Sequence, residues 1–116
     1  MDYKRSRAVW HNQIARWGGG VNNGTLIRGT VRRPATMAML EYTPKERAGG
    51  LFQDGAVRFW VSALHIHNVE AKWPDNELDV LEFARRRYRI LRPPLGQQPD
   101  GSWIAFDCSC TFFERV

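Results

Sequence analysis

The chain has 116 residues, the size of one domain with a single packed core. A hydrophobic fraction of 43% and a charged fraction of 25% are ordinary for a folded protein and exclude a wholly disordered chain. The net charge of +5 favours an acidic partner, and no run approaches the roughly 18 apolar residues that a membrane span needs.

Residues 1–17 are predicted to form a short helix because their large apolar side chains recur at helical spacing. This stripe consists of Tyr3, Trp10, Ile14 and Trp17. The three glycines at 18–20 then end the helix. We therefore expect an N-terminal helix with a glycine-rich link over residues 1–20 and one β domain over residues 21–116.

From Thr25 onward, six short segments rich in β-branched and aromatic residues predict strands. They are residues 25–33, 35–42, 56–64, 78–84, 87–92 and 103–113. Turn-rich pieces separate them, and strands do not alternate with helices. The fold class is therefore expected to be mainly β, a small antiparallel β-barrel or sandwich of the SH3-like or OB-like kind.

Alternation within three of these strands assigns side chains to a core. The expected core list is Val57, Phe59, Val61, Ala63, Tyr88, Ile90, Ile104, Phe106, Cys108, Cys110 and Phe112. Trp60 falls on the polar face of its strand. An aromatic of that size left exposed is commonly an interface anchor, so Trp60 is a candidate contact residue.

Few residues suggest chemistry. Cys108 and Cys110 could bind a metal as thiolates, but their apolar strand parity favours core packing in a reducing, cytosolic setting. His65 and His67 could hold a metal with a nearby carboxylate, but two polar rings at a strand end are the favoured interpretation. No catalytic motif is present, so we expect no enzymatic activity, no metal and no cofactor.

Residues 42–55 connect two predicted strands with about fourteen residues, where a hairpin needs two to five. A connection this long in a compact domain is usually functional or disordered. Its sequence, YTPKERAGGLFQDG, combines flexible glycines with basic and apolar side chains. A plain surface loop remains the alternative.

Two sets of charged residues predict polar surfaces. The basic set consists of Arg85, Arg87 and Arg89 on one stripe and Arg28 and Arg32 on another. If their strands are neighbours, one sheet face is strongly positive and fits either nucleic acid or an acidic partner. The acidic set consists of Asp75, Glu77 and Asp79 around a turn, either solvated or facing the arginines of a neighbouring subunit.

The order of these features resembles the small head-completion proteins of tailed bacteriophages, also called head–tail connector or head-closure stopper proteins. The resemblance covers about residues 14–110: IARWGG closing the helix, TPKERAGGLFQDG in the long connection, WPDNELD, RYRILRPP, a PDG turn and WIAFDC. These motifs reflect strand, loop and turn chemistry, and none is a catalytic signature.

The resemblance implies a small β-barrel that assembles as a homo-oligomeric ring at the neck of the virion, after synthesis in the host cytoplasm. Its partners would be the portal or adaptor, the tail terminator and packaged double-stranded DNA in the channel. The long connection would enter the channel or reach the next subunit, using Tyr42, Lys45, Arg47, Leu51, Phe52, Gln53 and Asp54. The alternative function is a small nucleic-acid-binding β-barrel that acts as a monomer or dimer.

Overall fold

A computed structural model of the chain describes residues 3–48, 56–66 and 73–116. The helices are α1 (Tyr3–Gly18) and α2 (Pro44–Ala48). The strands are β1 (Gly24–Arg28), β2 (Val31–Ala35), β3 (Met37–Leu40), β4 (Val57–Ser62), β5 (Val80–Phe83), β6 (Arg86–Ile90), β7 (Leu95–Gln97) and β8 (Trp103–Arg115). The eight strands are antiparallel and form one curled half-barrel sheet, which confirms the expected fold class.

The two edge strands of the half-barrel are joined directly by the chain. Its strand order is β2-β1-β5-β6-β8-β4-β3, with β7 paired to β8 beside this path. The outermost strands, β2 and β3, are consecutive in sequence and are joined by Thr36 alone. The N–H of Ser62 on β4 donates to the Thr36 carbonyl at 2.9 Å, which extends the β3–β4 ladder to this residue.

β8 is the central strand. It pairs with β4 from Val57↔Cys110 to Ser62↔Ala105, and with β6 from Arg86↔Arg115 to Ile90↔Cys110. It also carries β7. One strand of 13 residues therefore joins the two groups of strands that form the half-barrel.

The inner face of the sheet forms the core. Phe59, Phe106 and Leu26 are among its largest fully buried side chains. Cys108 and Cys110 are free and buried, as the strand parity predicted, and burial raises the pKa of both thiols. These cysteines therefore act as small apolar side chains.

The prediction that Phe112 is a core residue is wrong, since its side chain is 46% exposed. The pairing of β4 with β8 ends at Cys110, so β8 extends beyond the cover of β4 at Phe112. A register shift between Arg87 and Tyr88 also disturbs the pairing of β6 with β8 there. Alternation gave the correct face of the strand but not where the core ends.

Two strand predictions need correction. Residues 25–33, expected as one strand, form the β1–β2 hairpin, in which Gly29 has a φ of 61° that glycine adopts without strain. Residues 93–102, expected as a turn, contain the short strand β7. In both cases glycine marked a change of chain direction or of pairing inside an otherwise uniform segment.

The predicted N-terminal helix is confirmed as α1, and its C-terminus is set by glycine. The N–H groups of Gly19 and Gly20 donate to the Ala15 carbonyl at 3.0 and 2.8 Å, and Gly19 has a φ of 93°. The helix lies across the outer face of β3, β4 and β8. No helix in the described part of the chain is long and apolar enough to cross a membrane.

The face of α1 that packs on the sheet differs from the apolar stripe. Arg7, His11 and Ile14 are buried at helical spacing, whereas Trp17 is 47% exposed. The difference arises from polar contacts that sequence spacing does not reveal. The Arg7 guanidinium donates to the Trp103 carbonyl at 3.3 Å, and His11 is hydrogen-bonded to Ser62. These bonds hold Arg7 and His11 against the sheet beside Ile14.

Candidate interaction surfaces

The long connection begins with a short, well-capped helix. Thr43, Pro44 and Glu46 form a capping box, in which the Thr43 N–H donates to Glu46 Oε1 at 3.0 Å and the Glu46 N–H donates to Thr43 Oγ1 at 3.2 Å. Pro44 occupies the first helical position, where its missing N–H costs nothing. Hydrogen bonding to Thr43 lowers the pKa of the Glu46 carboxyl. The connection therefore starts in a fixed direction.

Arg58 holds this helix against the sheet. Its guanidinium donates to both carboxylate oxygens of Asp107 on β8, at 2.9 and 2.7 Å, and lies 3.5 Å from Glu46 Oε2 on α2. It also lies 5.8 Å from the Tyr42 ring and 5.2 Å from the Trp60 ring. The hydrogen bonds to Asp107 raise the pKa of Arg58. The Arg58 side chain, on β4, thus contacts β8, α2 and the segment at Tyr42.

Trp60 is not the exposed anchor that its strand parity predicted. Its ring stacks on Trp10 of α1, with centroids 5.1 Å apart and planes within 7°. It packs with the small outer cluster of Ile14, Ala38 and Ala105 beneath the helix. Trp60 therefore lies on the outer face of β4 but is half-buried, because α1 covers that part of the face. Trp17 packs edge-on against Trp10 at 6.0 Å and is itself exposed.

The residues predicted to act in the long connection fall into two groups. Tyr42 is buried at its base and Lys45 is exposed on α2, where Arg47 also lies. Leu51, Phe52, Gln53 and Asp54 lie outside the described residues. Tyr42 is thus part of the packing beneath Arg58, and Lys45 presents its charge to solvent.

The predicted basic face exists as a set of neighbouring strands, but carboxylates interrupt it. β2, β1, β5 and β6 are adjacent, which places Arg32, Glu82 and Arg87 on one outer face. Glu82 Oε2 lies 3.0 Å from Arg32 and 3.7 Å from Arg87, and Glu114 Oε1 accepts from Arg87 at 3.0 Å. Arg89 lies 4.8 Å from the Phe113 ring. This face is an alternating ion-pair network rather than a strongly positive surface.

One member of the basic set and one of the acidic set bond to each other. Arg28 donates to Asp79 through Nε at 2.7 Å and Nη2 at 2.9 Å, and its guanidinium lies 4.1 Å above the Trp73 ring. Asp79 is buried and also accepts from the Asp75 N–H at 2.6 Å. The hydrogen bond to Asp79 raises the pKa of Arg28. Asp75 and Glu77 remain as the more accessible acidic residues of this turn.

A buried Ser–His pair fixes α1 to β4. His11 Nδ1 and Ser62 Oγ are 2.7 Å apart, and Ser62 Oγ also accepts from the Leu64 N–H at 3.3 Å. Burial first, and the neighbouring His65 second, lower the pKa of His11. The His65 ring packs edge-on at 5.4 Å. The arrangement anchors the helix, and the lowered pKa favours the neutral form of the His11 imidazole.

The structure adds no evidence for a metal at the H-x-H pair. His65 is exposed, and His67 lies outside the described residues. Among the side chains of residues 3–48, 56–66 and 73–116, no three potential metal ligands come together. The metal interpretation of His65 and His67 stays a sequence-based hypothesis.

Sequence reasoning missed the capping box, the Arg58 junction and the His11–Ser62 bond. The first had a readable signal, since T-P-K-E at residues 43–46 is a capping-box pattern with proline in the first turn. The other two join residues 49 and 51 positions apart in the chain, and no local pattern predicts such contacts. Comparisons with protein-family models, curated proteins and solved structures found no match.

Proposed function

We propose that the chain is a virion structural protein that forms a ring at the head–tail junction of a tailed bacteriophage, joins head to tail and helps to retain packaged DNA. The resemblance given above motivates this function, and the observed fold class agrees with it. Portal or adaptor and tail-terminator proteins would be its neighbours. No catalytic step is part of the proposal.

The observation that carries the proposal is the rigid base of the long connection. The capping box, the buried ring of Tyr42 and the Glu46–Arg58–Asp107 junction fix where residues 42–55 leave the half-barrel. A connection that is about fourteen residues long and held firmly at its start suits an arm that reaches a neighbouring subunit or narrows a channel. An unspecialised surface loop needs no such base.

The test uses two variants in the virus that encodes the chain. Leu51→Ser with Phe52→Ser removes the apolar pair from the connection and leaves its base intact, whereas Lys45→Gln changes an exposed charge on α2. We expect the double variant to fold normally but to yield particles that lose DNA or lack tails. The Lys45→Gln variant, which changes a single charge, should affect the particles less than the double variant does.

Two measurements decide the outcome. Electron microscopy of purified particles should show the chain as a collar between head and tail, and particle infectivity should fall for the double variant. Absence of the chain from purified virions would refute the proposal. A soluble monomer or dimer that binds nucleic acid and never enters particles would instead support the alternative function.

A further inference from the structure

Three exposed arginines lie together at the tip of the β5–β6 hairpin, and we call this set the arginine tip. Arg85 is in the turn, Arg86 begins β6, and Arg115 ends β8 directly opposite Arg86. None of the three has an ion-pair partner within the described part of the chain. Four other arginines there are bonded to carboxylates: Arg28, Arg32, Arg58 and Arg87.

The turn of this hairpin holds Arg85 in an unfavourable conformation. Phe83 pairs with Arg86, so Ala84 and Arg85 form a two-residue loop with φ values of 53° and 61°. Such a loop strongly favours Asn-Gly, because glycine has no Cβ to clash when φ is positive and asparagine tolerates this region better than other side chains. The β1–β2 hairpin of the same sheet has Gly29 at a φ of 61°. A bulky cation therefore occupies a position that suits glycine better.

A second unfavourable feature, a pair of opposed arginines, lies beside this turn. Arg86 and Arg115 face each other across β6 and β8, and like charges in directly opposed positions destabilise a sheet. The Arg86 guanidinium lies 5.6 Å above the ring of Phe112, which is 46% exposed. Natural sequences concentrate such violations at functional sites. An anion between the two guanidinium groups would remove the repulsion.

We propose that the arginine tip binds the phosphate backbone of nucleic acid. The inference rests on the proposed function, in which it assigns the surface of each subunit that faces packaged DNA. Guanidinium groups match phosphate oxygens with paired hydrogen bonds, and duplex DNA presents about one negative charge per 1.7 Å of its axis. A protein partner would need an apolar centre at the interface, but the one exposed ring at the tip lies under Arg86.

The test measures binding of the full chain to a fluorescein-labelled 30-base-pair duplex of arbitrary sequence. Three phosphate contacts predict a salt slope of about −2.7, so affinity should fall roughly 40-fold between 50 and 200 mM KCl. Replacing all three arginines, as Arg85→Gly, Arg86→Gln and Arg115→Gln, should bring the slope close to zero. Each change relieves a local conflict, so the variant is expected to fold.

Arg85→Gly distinguishes the effect of Arg85 on stability from its effect on DNA binding. Glycine accepts the positive φ, so thermal unfolding should shift upward by about 4 °C while DNA affinity at 50 mM KCl falls about tenfold. The matched control is Arg5→Gln, which removes the same charge from an exposed site on α1. Arg5 lies near Arg7, which contacts Trp103 at the opposite end of β8 from Arg115. The control should bind DNA like the wild type.

Several results would overturn the assignment. They are no binding of DNA by the wild type, an unchanged salt slope in the triple variant, or an equal loss of affinity in Arg5→Gln. Displacement of the duplex by poly-glutamate at equal charge concentration would assign the tip to an acidic protein instead. The ring proposal fails separately, since it depends on the collar in particles: a chain absent from virions that still binds DNA through the tip refutes only the ring.

Discussion

Removing the Arg58 side chain should destabilise the protein through several contacts at once. Its paired, charge-assisted hydrogen bonds to Asp107, at 2.9 and 2.7 Å, contribute about 1.5–3 kcal/mol. The contacts with the rings of Tyr42 and Trp60 add about 0.5–1 kcal/mol together, after allowance for the 25% exposure of the Arg58 side chain. We expect Arg58→Ala to lower the free energy of unfolding by about 3 kcal/mol.

For a chain of 116 residues, 1 kcal/mol corresponds to about 4 °C in the unfolding temperature, so Arg58→Ala should lower it by about 12 °C. Guanidinium chloride unfolding followed by tryptophan fluorescence measures the same change. Near-ultraviolet circular dichroism should also change, because Arg58 lies against Trp60, which stacks on Trp10.

Arg58→Lys tests whether geometry matters as well as charge. Lysine keeps the charge but cannot bond both carboxylate oxygens with a planar fork, so we expect it to lose about half of the effect. Arg5→Ala, at an exposed position of α1, should change stability by less than about 0.5 kcal/mol. If Arg58→Ala falls within 1 kcal/mol of the wild type, the contacts of Arg58 with Asp107 and the two rings do not stabilise the fold as inferred; if lysine substitutes fully, the paired geometry is not required.

Three further predictions follow from local chemistry. Ala84→Asn should raise the unfolding temperature by about 2–4 °C, since asparagine tolerates the φ of 53°, and a lowered temperature would contradict the strained turn. Burial lowers the pKa of His11 from its ordinary value of 6.5, so near and below pH 6.5 the unfolded chain binds more protons than the folded one. Stability should therefore fall as the pH drops from about 6.5 through the folded pKa, and His11→Gln should flatten this dependence in urea unfolding at pH 5–7.5. Burial also raises the pKa of Cys108, so a thiol reagent should modify the native protein at least roughly 100-fold more slowly than the unfolded chain, and equal rates would show that the thiols are accessible.

The sequence allowed prediction of the fold class and most of the inner face because both depend on local patterns. Phe59, Val61, Phe106 and Cys108 alternate along strands that have one buried face, and alternation is visible in the sequence itself. The core prediction for Phe112 was wrong because the core ends where a partner strand ends, and strand pairing is not visible in the local sequence.

The outer face could not be predicted, because its burial depends on where a distant helix lands. Trp60 lies on the face of β4 that carries the polar side chains, yet Trp10, 50 residues earlier in the chain, covers it. The charged surfaces were equally difficult to predict. Arg28 and Asp79 were assigned to two separate surfaces, and a separation of 51 residues hid the bond between them. A count of arginines in the sequence therefore overstated the positive surface.

The central position of β8 has a consequence for how the protein folds during synthesis. β4 pairs with β3 and β6 pairs with β5, but the second neighbour of both strands is β8, which begins more than 40 residues after β4. A ribosome that has released everything up to β7 has therefore exposed two separate sets of strands with unpaired edges. Such contacts of high sequence separation slow folding and leave edges open to association. A nascent chain stalled before Trp103 would be the form of this protein that most needs a chaperone.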